Sequence, residues 1–205
     1  MTLRDEPDAW PVVDSVERFR GGIVAVHTDW VRMPGSGGTE TVARDRVTHP
    51  GSVAIVALDA GSRVLLVRQY RHAVSQQLWE IPAGLRDSDG EAPLDTARRE
   101  LLEETGYRAG RWHTLVDCLP SPGFSDERVR IYLARDLDEV PTAEIGFERV
   151  HEEAGMVQSW LPLSEAVTAV LAGRLHNSLA LVGILAAQAA AANAFAALRP
   201  ADRVE

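Results

Sequence analysis

Residues 84–107 read GLRDSDGEAPLDTARRELLEETGY, and the organisation of the whole chain can be worked outward from this stretch. Pro93 stands where a first helical turn tolerates a residue with no backbone N–H, and Gly106 where a left-handed residue closes a helix. These two marks predict a helix from Pro93 to Thr105. On it, Glu100, Glu103 and Glu104 are spaced i, i+3, i+4 and occupy about a third of the circumference, with Leu94, Ala97 and Leu101 grouped beside them. Such a helix presses its apolar stripe into a sheet and keeps three carboxylates on the rim. Their mutual repulsion is relieved by a positive charge, and hard oxygen donors at this density suit magnesium or manganese. Taken alone, the Glu103-Glu104 pair reads as a solvated acidic face, and the wider pattern is what points to a metal.

Before the helix, LWEIPAG at 78–84 reads as a short strand running into a loop. Ser52 to Leu58 and Arg63 to Tyr70 are β-rich runs around the turn residues DAGS, predicting a hairpin of core strands. Further upstream, extended segments at Val12 to Phe19, Ile23 to Met33 and Thr39 to Thr48, with a turn at PGSGG, predict a small antiparallel sheet. After the helix come expected strands at Trp112 to Leu119, Arg128 to Ala134 and Val157 to Leu161. A helix capped by Ser164 and ended by Gly173 follows, then a last helix over Asn177 to Leu198. Strands in blocks around one mid-chain helix lack the regular alternation of a doubly wound sheet, so the expected class is an α+β sandwich.

The chain has 205 residues, 45% hydrophobic and 25% charged, as expected of an ordinary globular unit. Thirty acidic against 21 basic residues give a net charge of −9, and no basic run tracks a phosphate backbone, which argues against a nucleic-acid partner. Cys118 is the one cysteine, so no intramolecular disulfide and no thiolate zinc cage can form, and a cytoplasmic location is expected. The opening MTLRDEPDAW carries three acids and has no apolar core of the kind an export signal needs. Leu179 to Leu198 runs twenty residues without a charge, long enough to cross a bilayer. Its alanine content, with Gln188 and Asn193, fits a helix buried in a core or a subunit interface better than a membrane anchor.

The 84–107 stretch resembles the signature box of the Nudix hydrolases: a glycine, five residues, a glutamate, seven residues, then R-E-apolar-x-E-E-x-G-apolar. Gly84, Glu91, Arg99, Glu100, Leu101, Glu103, Glu104, Gly106 and, loosely, Tyr107 match. Six residues rather than five separate Gly84 from Glu91, an insertion within the polar run RDSDG, where extra loop length costs little. Pro122, sixteen residues beyond Gly106, VRQYRH, WEIPAG and HEEAG-(x)4-WLPLSEA are similar to the ADP-ribose pyrophosphatase subfamily.

That resemblance implies an α/β/α sandwich of mixed sheet and helices for residues 49–205, with residues 1–48 as an N-terminal antiparallel β extension helping to build a homodimer. It implies metal-dependent hydrolysis of the pyrophosphate bond of ADP-ribose to AMP and ribose 5-phosphate. The alternatives are another nucleoside diphosphate derivative, such as a nucleotide sugar or a dinucleotide, and a non-catalytic ADP-ribose-sensing module. Metal ligands by resemblance are the Ala83 carbonyl, Glu100, Glu103 and Glu104, for Mg2+ or Mn2+. The catalytic set is Glu103, Arg99, which can pair with Glu103 and Glu91 to order the site, and Glu152 or Glu153 as the base, with alignment on Met156 to Trp160 favouring Glu152. Arg68 and Arg71 are candidates for diphosphate or ribose, Glu80 for the substrate cleft or a mere strand edge, and Glu127 for the ribose side or a strand cap. Trp30 has two readings: stacking on the adenine of a nucleotide bound by the partner copy, or packing within its own subunit.

Overall fold

The computed structural model describes residues 3–86, 90–147 and 155–201, and the chain divides into two compact units. One comprises the residues up to Pro50 together with Ser121–Glu127; the other comprises Gly51–Pro120 and the chain from Arg128 onward.

In the first unit, β1 (Val12–Arg20), β2 (Ala25–Gly35) and β3 (Gly38–Thr48) form an antiparallel sheet in that order. The turn expected at PGSGG joins β2 to β3, whose register runs unbroken from Ala25 opposite Thr48 to Gly35 opposite Gly38. Segment Ser121–Glu127, distant in sequence, is held on β3. The Val47 N–H donates to the Phe124 carbonyl at 2.7 Å, and the Asp126 N–H returns to the Val47 carbonyl at 3.2 Å. The Asp126 carboxylate accepts from the His49 backbone N–H at 2.9 Å and from Arg46 at 3.3 Å.

The second unit contains β4 (Ser52–Ala57), β5 (Arg63–Arg71), β6 (Gln76–Glu80), β7 (Ala83–Leu85), α1 (Pro93–Thr105), β8 (Tyr107–Cys118) and β9 (Val129–Glu139). It continues with α2 (Thr142–Ile145), β10 (Val157–Pro162), α3 (Leu163–Leu171), α4 (Ser178–Ala191) and β11 (Arg199–Pro200). A five-stranded sheet has the order β11-β8-β9-β4-β7, with β4 and β9 parallel and the other pairs antiparallel; β10-β5-β6 is a separate antiparallel sheet.

All six residues of β4 are buried, and their alternation explains the layering. Val53, Ile55 and Ala57 pack with Ala97 and Leu101 of α1, while Ala54 and Val56 pack with Ala180, Ile184 and Ala187 of α4. Helices thus cover both faces, giving an α+β fold of α/β/α type. Leu101 is fully buried, which contributes on the order of 2 kcal/mol. A Cβ on Gly183 would lie 2.9 Å from both Ile81 Cδ1 and Val56 Cγ2, so α4 approaches the sheet as closely as it does because that residue is glycine.

Helix α1 has the predicted bounds, with Pro93 in its first turn and Gly106 closing it at φ 79°, its N–H donating to the Leu102 carbonyl. Three expectations need correction. Strands β4 and β5 are not a hairpin: they meet at one bridge, Leu58–Val64, and then separate into different sheets, because each finds longer partners elsewhere. Ser164 does not cap α3, whose cap position lies two residues earlier at Pro162, with no side-chain cap. Helix α4 does begin at an Asn177 cap, whose side chain accepts from the Ala180 N–H at 3.0 Å. It stops at Ala191, though, where the chain turns through left-handed Ala194 and Phe195 to pair β11 with β8. No helix among the described residues is long and apolar enough to cross a membrane.

Candidate active site

Helix α1 packs on β4, β7 and β8. A Cβ on Gly84 would overlap the Glu100 carboxylate, so the missing side chain is what lets that carboxylate lie over the strand. One turn on, Glu104 is 3% exposed, and its Oε2 accepts from the Ala83 N–H at 3.0 Å. The helix spacing therefore sends two carboxylates to the same short strand.

Glu103, on the outer side, faces Arg99. The Arg99 guanidinium donates to Glu103 at 3.1 Å and to Glu100 at 2.8 Å, and its other edge grips both oxygens of Glu91 at 3.3 Å each. Thr96 also donates to Glu91, at 3.0 Å. The Arg99 hydrogen bonds hold the Glu91 carboxyl below the usual glutamate range, and the same pairing pushes the Arg99 guanidinium further up. The pairs of Arg99 with Glu103 and Glu91 match the sequence reading. The contact with Glu100 goes beyond it.

Gln69, Arg71, Ala83, Gly84, Leu85, Arg99, Glu100 and Glu104 line a cleft of about 290 Å³. Among the described residues, no three His, Cys, Asp or Glu side chains converge as a ready ion cage, and Arg99 supplies positive charge among Glu91, Glu100 and Glu103. The donor chemistry nevertheless fits a hard divalent cation: two carboxylates and a strand-end peptide at one cleft wall, with Glu104 almost fully withdrawn from water.

The cleft gathers the candidates unevenly. Arg71 lines it, and its Nε and Nη2 donate to the two oxygens of Glu80 at 2.9 and 2.6 Å. Glu80 is 2% exposed and sits behind Arg71 rather than among the lining residues. Arg68 does not join them. It stands on the other face of β5 from Gln69 and Arg71, as strand alternation requires, with its guanidinium 5.4 Å from the centre of the Trp79 ring on β6. Trp30 and Glu127 belong to the N-terminal unit. Trp30 is half-buried, with the Arg18 guanidinium 5.6 Å from its ring centre, and Glu127 lies 3.9 Å from His49 Nδ1. Glu152 and Glu153 fall outside the described residues.

Two residues were not foreseen. Gln69 is 6% exposed and shares the strand parity of Arg71, a signal present in the sequence. Gln158 on β10 donates its amide to the carbonyls of Glu104 and Thr105 at 3.0 and 3.1 Å, satisfying orphan acceptors at the end of α1. No local pattern announces that contact.

Gly84→Ala is expected to cut turnover about tenfold or more, because the new Cβ overlaps the Glu100 side chain from Cγ outward and displaces its carboxylate, while the fold is retained. Steady-state kinetics beside a thermal melt check this; wild-type turnover would show that the close approach is dispensable.

Residues 48–181 match the NUDIX domain model, and the chain belongs to the Nudix hydrolase family. Over 190 residues, 93% of this chain and 88% of the relative, it is 49% identical to the ADP-ribose pyrophosphatase of Mycobacterium tuberculosis. It is also 34% identical over 166 residues, 81% of this chain and 85% of the relative, to a methanol dehydrogenase activator of Bacillus methanolicus. Among solved structures, an ADP compounds hydrolase superposes with a TM-score of 0.75 at 18% identity, covering 93% of this chain and 99% of that one, a likeness of fold.

Proposed function

We propose that the protein hydrolyses the pyrophosphate bond of ADP-ribose with magnesium, or manganese in its place, releasing AMP and ribose 5-phosphate. The observation that carries the reading is the cleft lined together by Glu100, Glu104, Arg71, Ala83 and Gly84. The 49% identity to an ADP-ribose pyrophosphatase supports the choice of substrate. Glu100, Glu104 and the Ala83 carbonyl would hold the cation, with Glu103 adjacent; when bound it offsets diphosphate charge and lowers the pKa of a neighbouring water. Arg71 presents a planar fork to phosphate oxygens. Arg99 keeps Glu91, Glu100 and Glu103 in register through its hydrogen bonds. Glu152, or its neighbour Glu153, accepts the proton of the attacking water, and in-line displacement at one phosphorus expels the other monophosphate.

The test is a comparison of kcat/KM across ADP-ribose, a nucleotide sugar and a dinucleotide. ADP-ribose should lead by at least tenfold; a nucleotide sugar in the lead would replace it as the substrate.

Residues 1–48 are read as an extension that builds a homodimer, with Trp30 contributing to the nucleotide site of the partner copy and residues 49–205 forming the hydrolase domain. Val12, Val13 and Phe19 on β1 and Ile23 after it are exposed, which supports an apolar contact with a second copy. Light scattering at micromolar concentration should give twice the chain mass of 22.3 kDa, and removal of residues 1–48 should cost dimerisation and ADP-ribose affinity together. A full-length monomer would defeat the proposal. The lone Cys118, which forms no disulfide within the chain, supports a cytoplasmic location.

A further inference from the structure

We propose that Glu80 is a positioning residue that acts on the substrate diphosphate through Arg71; the inference rests on the diphosphate reading of the cleft. Glu80 is 2% exposed, whereas the Arg71 side chain is 45% exposed, and the two are joined by two hydrogen bonds of 2.9 and 2.6 Å. Both oxygens of the carboxylate are thus engaged by one guanidinium edge. A buried carboxylate with this geometry fixes the plane of the fork, because rotating the guanidinium would break both bonds at once and leave an anion unpaired away from water.

The backbone explains why the pair can form. Arg71 and Gln69 lie on one face of β5, and on the antiparallel neighbour β6 Glu80 opposes Val67, two residues before Gln69 on that same face. Arg71 reaches back along this face past Gln69 to Glu80. Glu80 thereby anchors the guanidinium from beneath while Arg71 itself lines the cleft with Ala83, Gly84, Glu100 and Glu104.

The cleft's chemistry makes that anchoring matter. Glu100 and Glu104 give the wall negative charge that repels a diphosphate, and Arg71 is the cationic side chain on β5 facing it. A lysine there would keep the charge. It would lose the fork, which Glu80 can hold in one orientation and an ammonium cannot reproduce. The role assigned to Glu80 is therefore geometric: it sets where Arg71 offers its hydrogen bonds.

A double-mutant cycle on the full chain tests this, using Glu80→Gln, Arg71→Lys and the double variant, all of which avoid stranding a buried carboxylate without a cation. Calorimetry with the α,β-methylene analogue of ADP and magnesium reads diphosphate affinity without requiring turnover, and ADP-ribose kinetics give KM and kcat. Glu80→Gln should weaken analogue affinity and raise KM about five- to tenfold, with kcat within about twofold of wild type. In the Arg71→Lys background the same substitution should change neither by more than about twofold. Additive losses would overturn the proposal, since Glu80 would then meet substrate itself; so would unchanged affinity in Glu80→Gln, or a wild-type protein that fails to bind the analogue. A wild type that binds the analogue but does not cleave ADP-ribose would instead remove the substrate assignment and leave the Glu80 role standing.

Discussion

Glu104→Gln is expected to lower ADP-ribose turnover by three or more orders of magnitude while the protein remains folded, and Glu100→Gln to do nearly the same. The two carboxylates are the side chains that α1 delivers to the Ala83–Gly84 strand end, one through the space left by the missing Gly84 side chain and the other through a hydrogen bond from the Ala83 N–H. Glutamine preserves length and that hydrogen bond but removes the anionic donor a hard divalent cation needs. Stability should fall little, because a neutral amide at a nearly buried site escapes the cost of withdrawing a charge from water. Circular dichroism, a thermal melt and a magnesium titration at saturating ADP-ribose measure the effect. Near-normal turnover of both variants at high magnesium would remove them from the metal site.

Glu152→Gln is expected to reduce kcat a hundredfold or more with ADP-ribose binding nearly unchanged, as loss of a general base demands. Its neighbour Glu153→Gln should be milder. The ranking follows from the spacing of HEEAG to the strand that begins at Val157. Gln158 on that strand is tied to the last carbonyls of α1, which links the start of β10 to the helix carrying Glu104. The check is a pH-rate profile for each variant: the acid limb that reports the base should disappear in Glu152→Gln and persist in Glu153→Gln. The reverse ranking would move the base by one residue.

What could be read from the sequence was whatever local chemistry decides. Helix α1 was legible at both ends because a first-turn proline and a left-handed glycine act within a few residues of where they stand. The grouping of its carboxylates followed from helical spacing alone. Arg68 and Arg71 are candidates for one role in the sequence reading, although they stand three residues apart on one strand and period-2 alternation puts them on opposite faces. Contacts set by distant partners were not legible. Nothing within residues 52–71 reveals that β4 will pair with β9 and β7 while β5 pairs with β10 and β6. Nor does SPGFSDE announce that it will bind along β3, roughly eighty residues upstream in the Arg46–Asp126 contact, a separation that local propensity does not encode. The end of α4 was obscured for another reason: a run of alanines carries no stop signal, and the helix ends where Phe195 packs under Arg135 and β11 finds β8.

The most direct test of the central claim is to incubate the purified protein with ADP-ribose and magnesium and follow the products by anion-exchange chromatography. AMP and ribose 5-phosphate should appear in equal amounts, at a rate abolished by a chelator and restored by excess magnesium. ADP-ribose that survives intact at micromolar enzyme with magnesium or manganese present would contradict the account.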